Sequence, residues 1–329
     1  MAAKTLYAGP GKVYTNSIAL QPEGENGPIK ITLAEDTAEI AAAMFGRIGE
    51  QVADQIVELT VRPFDNWGSL RTLFPAALGV SVGASVGALS IGTRPHGTGN
   101  ASTKVWRPDG ILYNIVRSAV IGHPSLHLGI GKALFGDCRI VGIGDGVTPV
   151  AMGSSGYLIA GNAITESAAA DPGGNMAMSD FIRGAWTGVW GTVAGFGGAA
   201  GSDGQTNAVE AEDEWTIESN VKYSALKVQG RTVGFKLDSV GFMAKCRPYG
   251  PTHTDIVAAI GAHTHGQRLG SADLTLTGPS SKTITLKNAA IKGGGFEFGG
   301  TQLGSGEIGF VNEMTFSTGA PQPLLVFSA

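Results

Sequence analysis

Two parts of the chain alternate apolar and polar residues with a period of two, which predicts half-buried β-strands. The first part contains two such stretches, residues 29–34 and residues 56–62, and the second part contains one at residues 215–223. Pro63 and Pro248 follow the strand patterns in their respective parts. Since proline cannot donate a hydrogen bond to a sheet, each is expected to end its strand.

A short helix is predicted after each of these prolines. In the first part, Asp65 or Asn66 supplies an N-cap oxygen, apolar residues recur at helical spacing from Trp67 to Phe74, and Pro75 ends the helix. In the second part, a threonine cap and apolar residues at helical spacing occupy residues 252–260. Further short β-patterns follow each helix, so both parts are predicted as strands, one helix, then strands.

The two parts also align with each other as a weak internal repeat. Ile31 aligns with Trp215 and the pair Arg62-Pro63 aligns with Arg247-Pro248, at shifts of 215 − 31 = 184 and 247 − 62 = 185. The Gly-Arg pairs at 46–47 and 230–231 align as well. After a shortened loop, residues 118–121 align with residues 288–291 at a shift of 288 − 118 = 170. This order and spacing favour a duplicated domain.

The expected fold class is therefore mainly β, with two tandem β-sandwich or barrel domains that each carry one flanking α-helix. We place the first domain at residues 1–165, a linker rich in Ala and Gly at 166–180, and the second domain at 181–329. The small residues from Leu78 to Gly92 are expected to form a long loop that reaches a neighbouring molecule.

Composition limits the classes of function. Apolar residues make up 43% of the chain and charged residues 15%, with 51 glycines. This composition predicts a surface poor in charge, which is either covered by copies of the same protein or is the weakly charged surface of a β-protein rich in Gly and Ala. A net charge of −4 without a basic run argues against tight binding of nucleic acid.

The sequence predicts a soluble protein in a reducing compartment. Cys138 and Cys246 lie at unrelated places, which predicts free thiols. The N-terminus has no apolar signal stretch, and the uncharged residues between Arg71 and Arg94 contain Pro75 and many small residues. They are a poor lipid-facing helix, so we expect a soluble protein made in the cytoplasm.

Signals of catalysis are weak. Gly9 to Lys12 and Gly131-Lys132 lack the first glycine and the hydroxyl residue of a phosphate-binding loop. His263 and His265 share one strand face near His253, but no cluster of Asp, Glu or Cys completes a metal shell. We expect no catalytic residue, no cofactor and no metal.

Acidic residues cluster before the main strand of each part. A solvated turn is the more general explanation for such a cluster, and the functional alternative is an acidic surface that keeps a polyanion from binding. The candidates for such a surface are Glu23, Glu25, Glu210, Glu212, Asp213 and Glu214.

Several segments resemble the major tail tube proteins of long-tailed, siphovirus-like bacteriophages. They are Gly11 to Tyr14, Glu23 to Gly27, Arg62 to Trp67 and Leu70 to Pro75. The resemblance implies β-domains with a flanking helix that close into rings of six. The rings stack into a hollow virion tail through which viral DNA passes without specific binding. The partners it implies are further copies of the chain and other phage tail proteins, after synthesis in the cytoplasm of the bacterial host.

A duplicated tube domain gives six domains from three chains, hence a trimeric ring with pseudo-sixfold symmetry. Six chains with one domain as an outer decoration is the alternative. The acidic candidates then face the lumen or lie between rings. Other tail, neck or capsid-decorating roles stay open, and so does a β-sandwich enzyme or sugar-binding module that uses His263, His265 or Trp106.

Overall fold

The structure is a computed structural model of the chain. It describes residues 11–15, 18–20, 29–64, 66–94, 103–115, 117–142, 164–168, 170, 182–191, 209–249, 271–292, 296–299, 302–313, 316–317, 320–321 and 323–328.

These residues are mainly β, which confirms that part of the expected fold class; two tandem domains with one flanking helix each stay a prediction. The strands are β1 Lys12–Thr15, β2 Ile18–Leu20, β3 Lys30–Ala42, β4 Gly46–Val61, β5 Val80–Val82, β6 Thr103–Trp106, β7 Ile111–Ile115, β8 Ser118–Gly122, β9 Leu126–Leu128, β10 Cys138–Gly142, β11 Ile164–Ala168, β12 Thr187–Trp190, β13 Val209–Ala211, β14 Trp215–Ser219, β15 Lys222–Val228, β16 Arg231–Ser239, β17 Phe242–Cys246, β18 Pro248–Tyr249, β19 Ser271–Thr277, β20 Thr283–Lys292, β21 Phe296–Gly299, β22 Gln302–Ser305, β23 Ile308–Asn312, β24 Phe316–Ser317, β25 Ala320–Pro321 and β26 Leu325–Ser328. The helices are α1 Leu70–Leu73 and three 3₁₀ turns at Trp67–Ser69, Ala76–Leu78 and Pro279–Ser281.

The first half of the chain builds two antiparallel sheets. Their strand orders are β11-β7-β6-β1-β2 and β3-β4-β10-β8. The hairpin β3–β4 is much longer than the strands beside it, and its turn projects beyond them at residues 43–45.

The second half, together with β5 and β9 of the first half, builds an eleven-stranded sheet of order β18-β13-β12-β19-β20-β23-β17-β14-β9, with β26 beside β20 and β5 beside β26. Strands β14 and β15 run on into each other, and so do β16 and β17. Asn220 and Gly241 join the two pairs by exchanging backbone hydrogen bonds of 2.8 and 3.0 Å. The result is a second long hairpin, comparable to β3–β4.

The same strand registers recur in both halves. Val61 of β4 pairs with Cys138 of β10, and Cys246 of β17 pairs with Ile308 of β23. The shifts are 246 − 61 = 185 and 308 − 138 = 170, and they also relate the next three pairs of each ladder. The strand order β3-β4-β10-β8 of the first half therefore matches β14-β17-β23-β20 of the second.

Irregularities recur at the same places too. The pairing skips Ile48 and Ala53 in the first long hairpin, and Val233 and Asp238 in the second. Both shifts are 185 (233 − 48 and 238 − 53). A bulge bends a strand locally, so equal bulges give the two hairpins equal bends.

The sequence alignment of the hairpins was wrong by two residues in their first strands. Ile31 pairs with Leu59, whose counterpart Ala244 pairs with Ile217, so Ile31 corresponds to Ile217 and not to Trp215. One residue of this error comes from the turn, which has three residues in the first hairpin and two in the second, and the other comes from the Gly-Arg pairs, which align at a shift of 184 although the second strands are related by 185. Gly46 and Gly230 both adopt a positive φ near a turn, at +67° and +84°, so each turn contains a glycine although the two glycines do not occupy corresponding positions.

One hydrophobic core runs through both halves. Its buried residues extend from Val13 to Phe327. The ring of Phe327 contacts Trp67 at a centroid distance of 5.6 Å and Phe74 at 5.8 Å. Aromatic residues that lie far apart in the sequence therefore pack as one layer.

The first predicted helix is present and begins as predicted. The Asn66 side chain accepts a hydrogen bond of 2.8 Å from the Gly68 backbone N–H, and the turn passes directly into α1. The second predicted helix, at residues 252–260, lies outside the described residues. The division into domains at 1–165 and 181–329 stays a prediction. Strand β11 extends to Ala168, beyond the predicted start of the linker.

The expectation of a long loop at residues 78–92 is wrong at β5, Val80–Val82, whereas residues 83–92 form turns and irregular backbone. Leu78, Val80 and Leu89 are buried, and β5 pairs in parallel with β26. The segment therefore packs on the second half of its own chain. Its small residues allow the segment to fold closely on itself: a Cβ atom at Gly87 would lie 2.2 Å from the Val80 carbonyl oxygen.

A shared core predicts that both halves unfold together. Replacing Phe327 by alanine removes a side chain of 0% exposure that contacts rings of the first half. We expect the free energy of unfolding to fall by about 3 to 5 kcal/mol. Tryptophan fluorescence and far-UV circular dichroism in a urea titration should give coincident single transitions. Two separate transitions, with only one of them shifted by F327A, would contradict a shared core.

Candidate assembly surfaces

The two halves meet at a seam made by strands β9 and β14. Leu128 pairs with Trp215, His127 with Thr216 and Leu126 with Ile217, all antiparallel. Strand β9 thus covers the edge of β14 that β17 leaves open. A strand edge presents unpaired backbone donors and acceptors, so this pairing satisfies a row of polar groups.

Polar side chains reinforce the seam. His127 Nδ1 lies 3.2 Å from Glu214 Oε1, and its Nε2 lies 2.9 Å from Ser125 Oγ. With Nδ1–H donating to the carboxylate, Nε2 accepts the hydroxyl proton of Ser125. The ammonium group of Lys132 lies 4.0 Å from Asp213. No sequence pattern indicates the contact between His127 and Glu214, because these residues lie 87 positions apart.

A second polar contact joins the two halves at His123. Its Nδ1 donates to the Leu73 carbonyl at 2.6 Å, and its Nε2 accepts from the Tyr223 hydroxyl at 2.7 Å. The ring also stacks on Phe74 at 5.9 Å. Loss of hydration lowers the pKa of His123 from 6.5 to about 4, although the bond to Leu73 works in the opposite direction.

The long hairpins also touch each other directly. Thr232, near the turn of the second hairpin, donates to the buried carboxylate of Asp54 through its backbone N–H at 2.9 Å and its hydroxyl at 2.5 Å. Lys227 Nζ lies 3.6 Å from the same carboxylate. The turn region of the second hairpin therefore contacts strand β4 of the first hairpin.

The matching edge in the first half is open. Within the described residues, β3 pairs only with β4, whereas its counterpart β14 is paired on both sides. Lys30 and Thr32 on this edge are exposed. An open edge of this length is a template for a further strand.

The turn of the first long hairpin exposes an apolar cluster. Met44 is 90% exposed, Phe45 82% and Ile48 63%. Single apolar residues are common on surfaces, but adjacent ones at the end of a projecting hairpin mark a contact site. We call these three residues the apolar tip.

The acidic candidates fall into two groups. Glu23 and Glu25 lie outside the described residues. Glu210, Glu212 and Asp213 are exposed and Glu214 is partly buried against His127. Glu212, Asp213 and Glu214 border an open cleft of ≈ 350 Å³ that also holds Lys245 and Arg247. The hydrogen bond from Lys245 to Glu218, 2.9 Å long, raises the pKa of Lys245. The acidic run therefore has cations beside it, and a lumenal position for it stays a prediction.

The remaining candidates concern metal binding and thiol chemistry. His253, His263 and His265 lie outside the described residues. Among the residues that the structure does describe, no group of three His, Cys, Asp or Glu side chains is arranged to hold a metal ion. Cys138 and Cys246 are buried free thiols, and burial raises the pKa of both, that of Cys138 to about 12. In the same residues, no helix has the length and apolar character needed to span a membrane.

The neutral state of His123 predicts a pH-dependent stability. Between pH 6.5 and about 4 the unfolded chain binds a proton at this residue and the folded chain does not. Stability from this group is therefore complete above pH 6.5 and falls by roughly 2 to 3 kcal/mol as the pH drops to 4. Urea titrations between pH 7.5 and 4 should show a smaller decline for H123Q, whose amide keeps both hydrogen-bonding roles. An equal decline in the two proteins would show that another group titrates.

No family model and no curated protein matches this chain, so its function has to be argued from the surfaces described above.

Proposed function

We propose that the protein is a structural subunit that assembles with copies of itself into stacked rings, which form the hollow tube of a phage tail. The observation that carries this proposal is the recurrence of strand registers in the two halves of the chain, together with the pairing of a strand of the first half with an edge strand of the second. An arrangement that repeats once within a chain can repeat again between chains. The resemblance to tail tube proteins gives such a polymer its role.

Three chains make six domains, so a trimeric ring with pseudo-sixfold symmetry follows from this organisation. The contact between successive domains is head-to-tail: one domain offers a strand and the next offers an edge. Interfaces of this kind close into rings when the rotation allows and otherwise extend as filaments. Closure leaves no open edge for aggregation.

The tube conducts DNA without holding it. A net charge of −4 and the absence of a basic run fit a surface that does not retain a polyanion. The protein belongs to the virion tail in this proposal, with other tail proteins at the ends of the tube. Its work is mechanical, so it needs no catalytic group and no cofactor.

Electron microscopy of the purified full-length chain tests the proposal. We expect rings with a central hole and six similar lobes seen end-on, and a mass of three chains per ring by mass photometry. Short tubes should appear at higher protein concentration. Particles that stay monomeric at high concentration would overturn the proposal, and closed rings that never stack would favour a neck or tail-end role.

The apolar tip provides a second test, since Met44 and Phe45 are the most exposed of the large apolar side chains of the described residues. The double variant M44S/F45S should unfold within about 0.5 kcal/mol of the native protein, because it changes only exposed side chains. We expect fewer and shorter tubes by electron microscopy. The control V86S alters a residue that is 76% exposed elsewhere and should assemble normally. Equal assembly of both variants would exclude the tip from the contacts.

An enzyme is the second candidate, because Ser125, His127 and Glu214 stand in the order nucleophile, base and orienting carboxylate. Against it, the open cleft beside Glu214 does not include Ser125 or His127. A fluorophosphonate probe should leave the protein unlabelled if the three residues only hold the seam. Labelling that S125A abolishes would establish a reactive serine and reverse our preference.

A further inference from the structure

We infer that the hairpin β21–β22 of one chain pairs with the open edge of β3 in a second copy of this chain, with Lys30 opposite Glu297. The inference rests on the proposed self-assembly and assigns the strands that form the contact. It is argued from the registers of the described strands.

The donor hairpin has a counterpart that already makes this contact. In the first half, Leu126 bridges to Phe135 and the His127 N–H donates to the Leu134 carbonyl at 2.9 Å. In the second half, Phe296 pairs with Ser305, 170 positions after Leu126 and Phe135, and Glu297 pairs with Gly304. The hairpin β21–β22 is therefore the counterpart of the segment that carries β9.

The acceptor edge has a counterpart that is already covered. Strand β14 corresponds to β3 at a shift of 186, because Ile217 corresponds to Ile31. Strand β14 receives β9 on the edge away from β17. In the part of the chain that the structure describes, β21 pairs only with β22 and β3 pairs only with β4. Each chain thus has one unused donor hairpin and one unused acceptor edge.

The two shifts fix the register of the intermolecular pairing. Thr216 pairs with His127 inside the chain, and their counterparts are Lys30 (216 − 186) and Glu297 (127 + 170). Ile31 then lies opposite Phe296. Directly opposite residues on antiparallel strands have Cβ atoms about 5 Å apart, so a lysine and a glutamate at these positions attract each other.

Charge complementarity selects a second copy as the partner. Lys30 is exposed on the edge of β3. A neutral strand would satisfy the backbone groups equally well, but only a strand with an acid at this position matches the lysine. Because the two elements lie at opposite ends of the repeat, each chain donates to one neighbour and accepts from another, as ring closure requires.

Charge reversal tests the register. K30E or E297K alone places like charges opposite each other, and we expect about a tenfold rise in the concentration needed for ring assembly. The double variant K30E/E297K restores opposite charges and should assemble at the native concentration. Sedimentation velocity measures the assembled fraction. Failure of the double variant to recover while the fold stays intact by circular dichroism would overturn the pairing.

Cysteine cross-linking tests the partner directly. In K30C/E297C the Cα atoms of directly opposite residues would lie within disulfide range, and oxidation should join separate chains into covalent trimers on non-reducing gels. The matched control is T216C/H127C at the covered edge, which should form a disulfide only within the chain. The native cysteines are buried and should not interfere.

The outcomes separate this inference from the proposed function. Rings in the electron microscope without intermolecular cross-linking would overturn the pairing and leave the tube proposal standing. A disulfide within a single K30C/E297C chain would show that the hairpin folds back on its own edge. Monomers without any cross-link would overturn both.

Discussion

The structure depends on one constraint: the edge of a β-sheet must be paired or protected. Strand β9 meets this constraint at β14, where three backbone pairs and the His127–Glu214 contact join the halves of the chain. The common core and the hydrogen bond from Thr232 to Asp54 also join the two halves of the chain. Among the residues that the structure describes, β3 is paired on one side only, whereas its counterpart β14 is paired on both sides.

Backbone register, and not side-chain identity, relates the two halves. Ile140 and Phe310 occupy matching positions and are both fully buried, although they differ in volume. Arg117 and Asn288 both adopt a positive φ, at 53° and 48°, near the point where the chain passes from one set of strand partners to another. Pairing, bulges and such turns are set by the backbone, so a fold can recur while different side chains fill each core.

The local pattern of the sequence predicted what is decided locally. Alternation at residues 29–33 and 57–61 identified β3 and β4, and the cap at Asn66 identified the helix start. It misplaced the repeat in the hairpin because glycines near the turns were easier to match than strands of unlike residues. It also missed the seam, since the residues that meet there are almost ninety positions apart. The uncharged segment around Val80 does not reveal β5 by its composition, because a short buried strand and a loop of small residues have similar compositions.

In the inferred assembly, the junction within a chain and the junction between chains would differ in charge, and the difference would follow from how each junction forms. Inside the chain, the pairing of β9 with β14 joins Thr216 to His127, and covalent connection already holds the two segments at high effective concentration. Between chains no such tether exists, so register and partner choice have to come from the contact itself. A lysine opposite a glutamate supplies both, because like-charged or shifted pairings are penalised. In the inferred assembly one strand geometry would be used twice, with Thr216 opposite His127 inside the chain and Lys30 opposite Glu297 between chains.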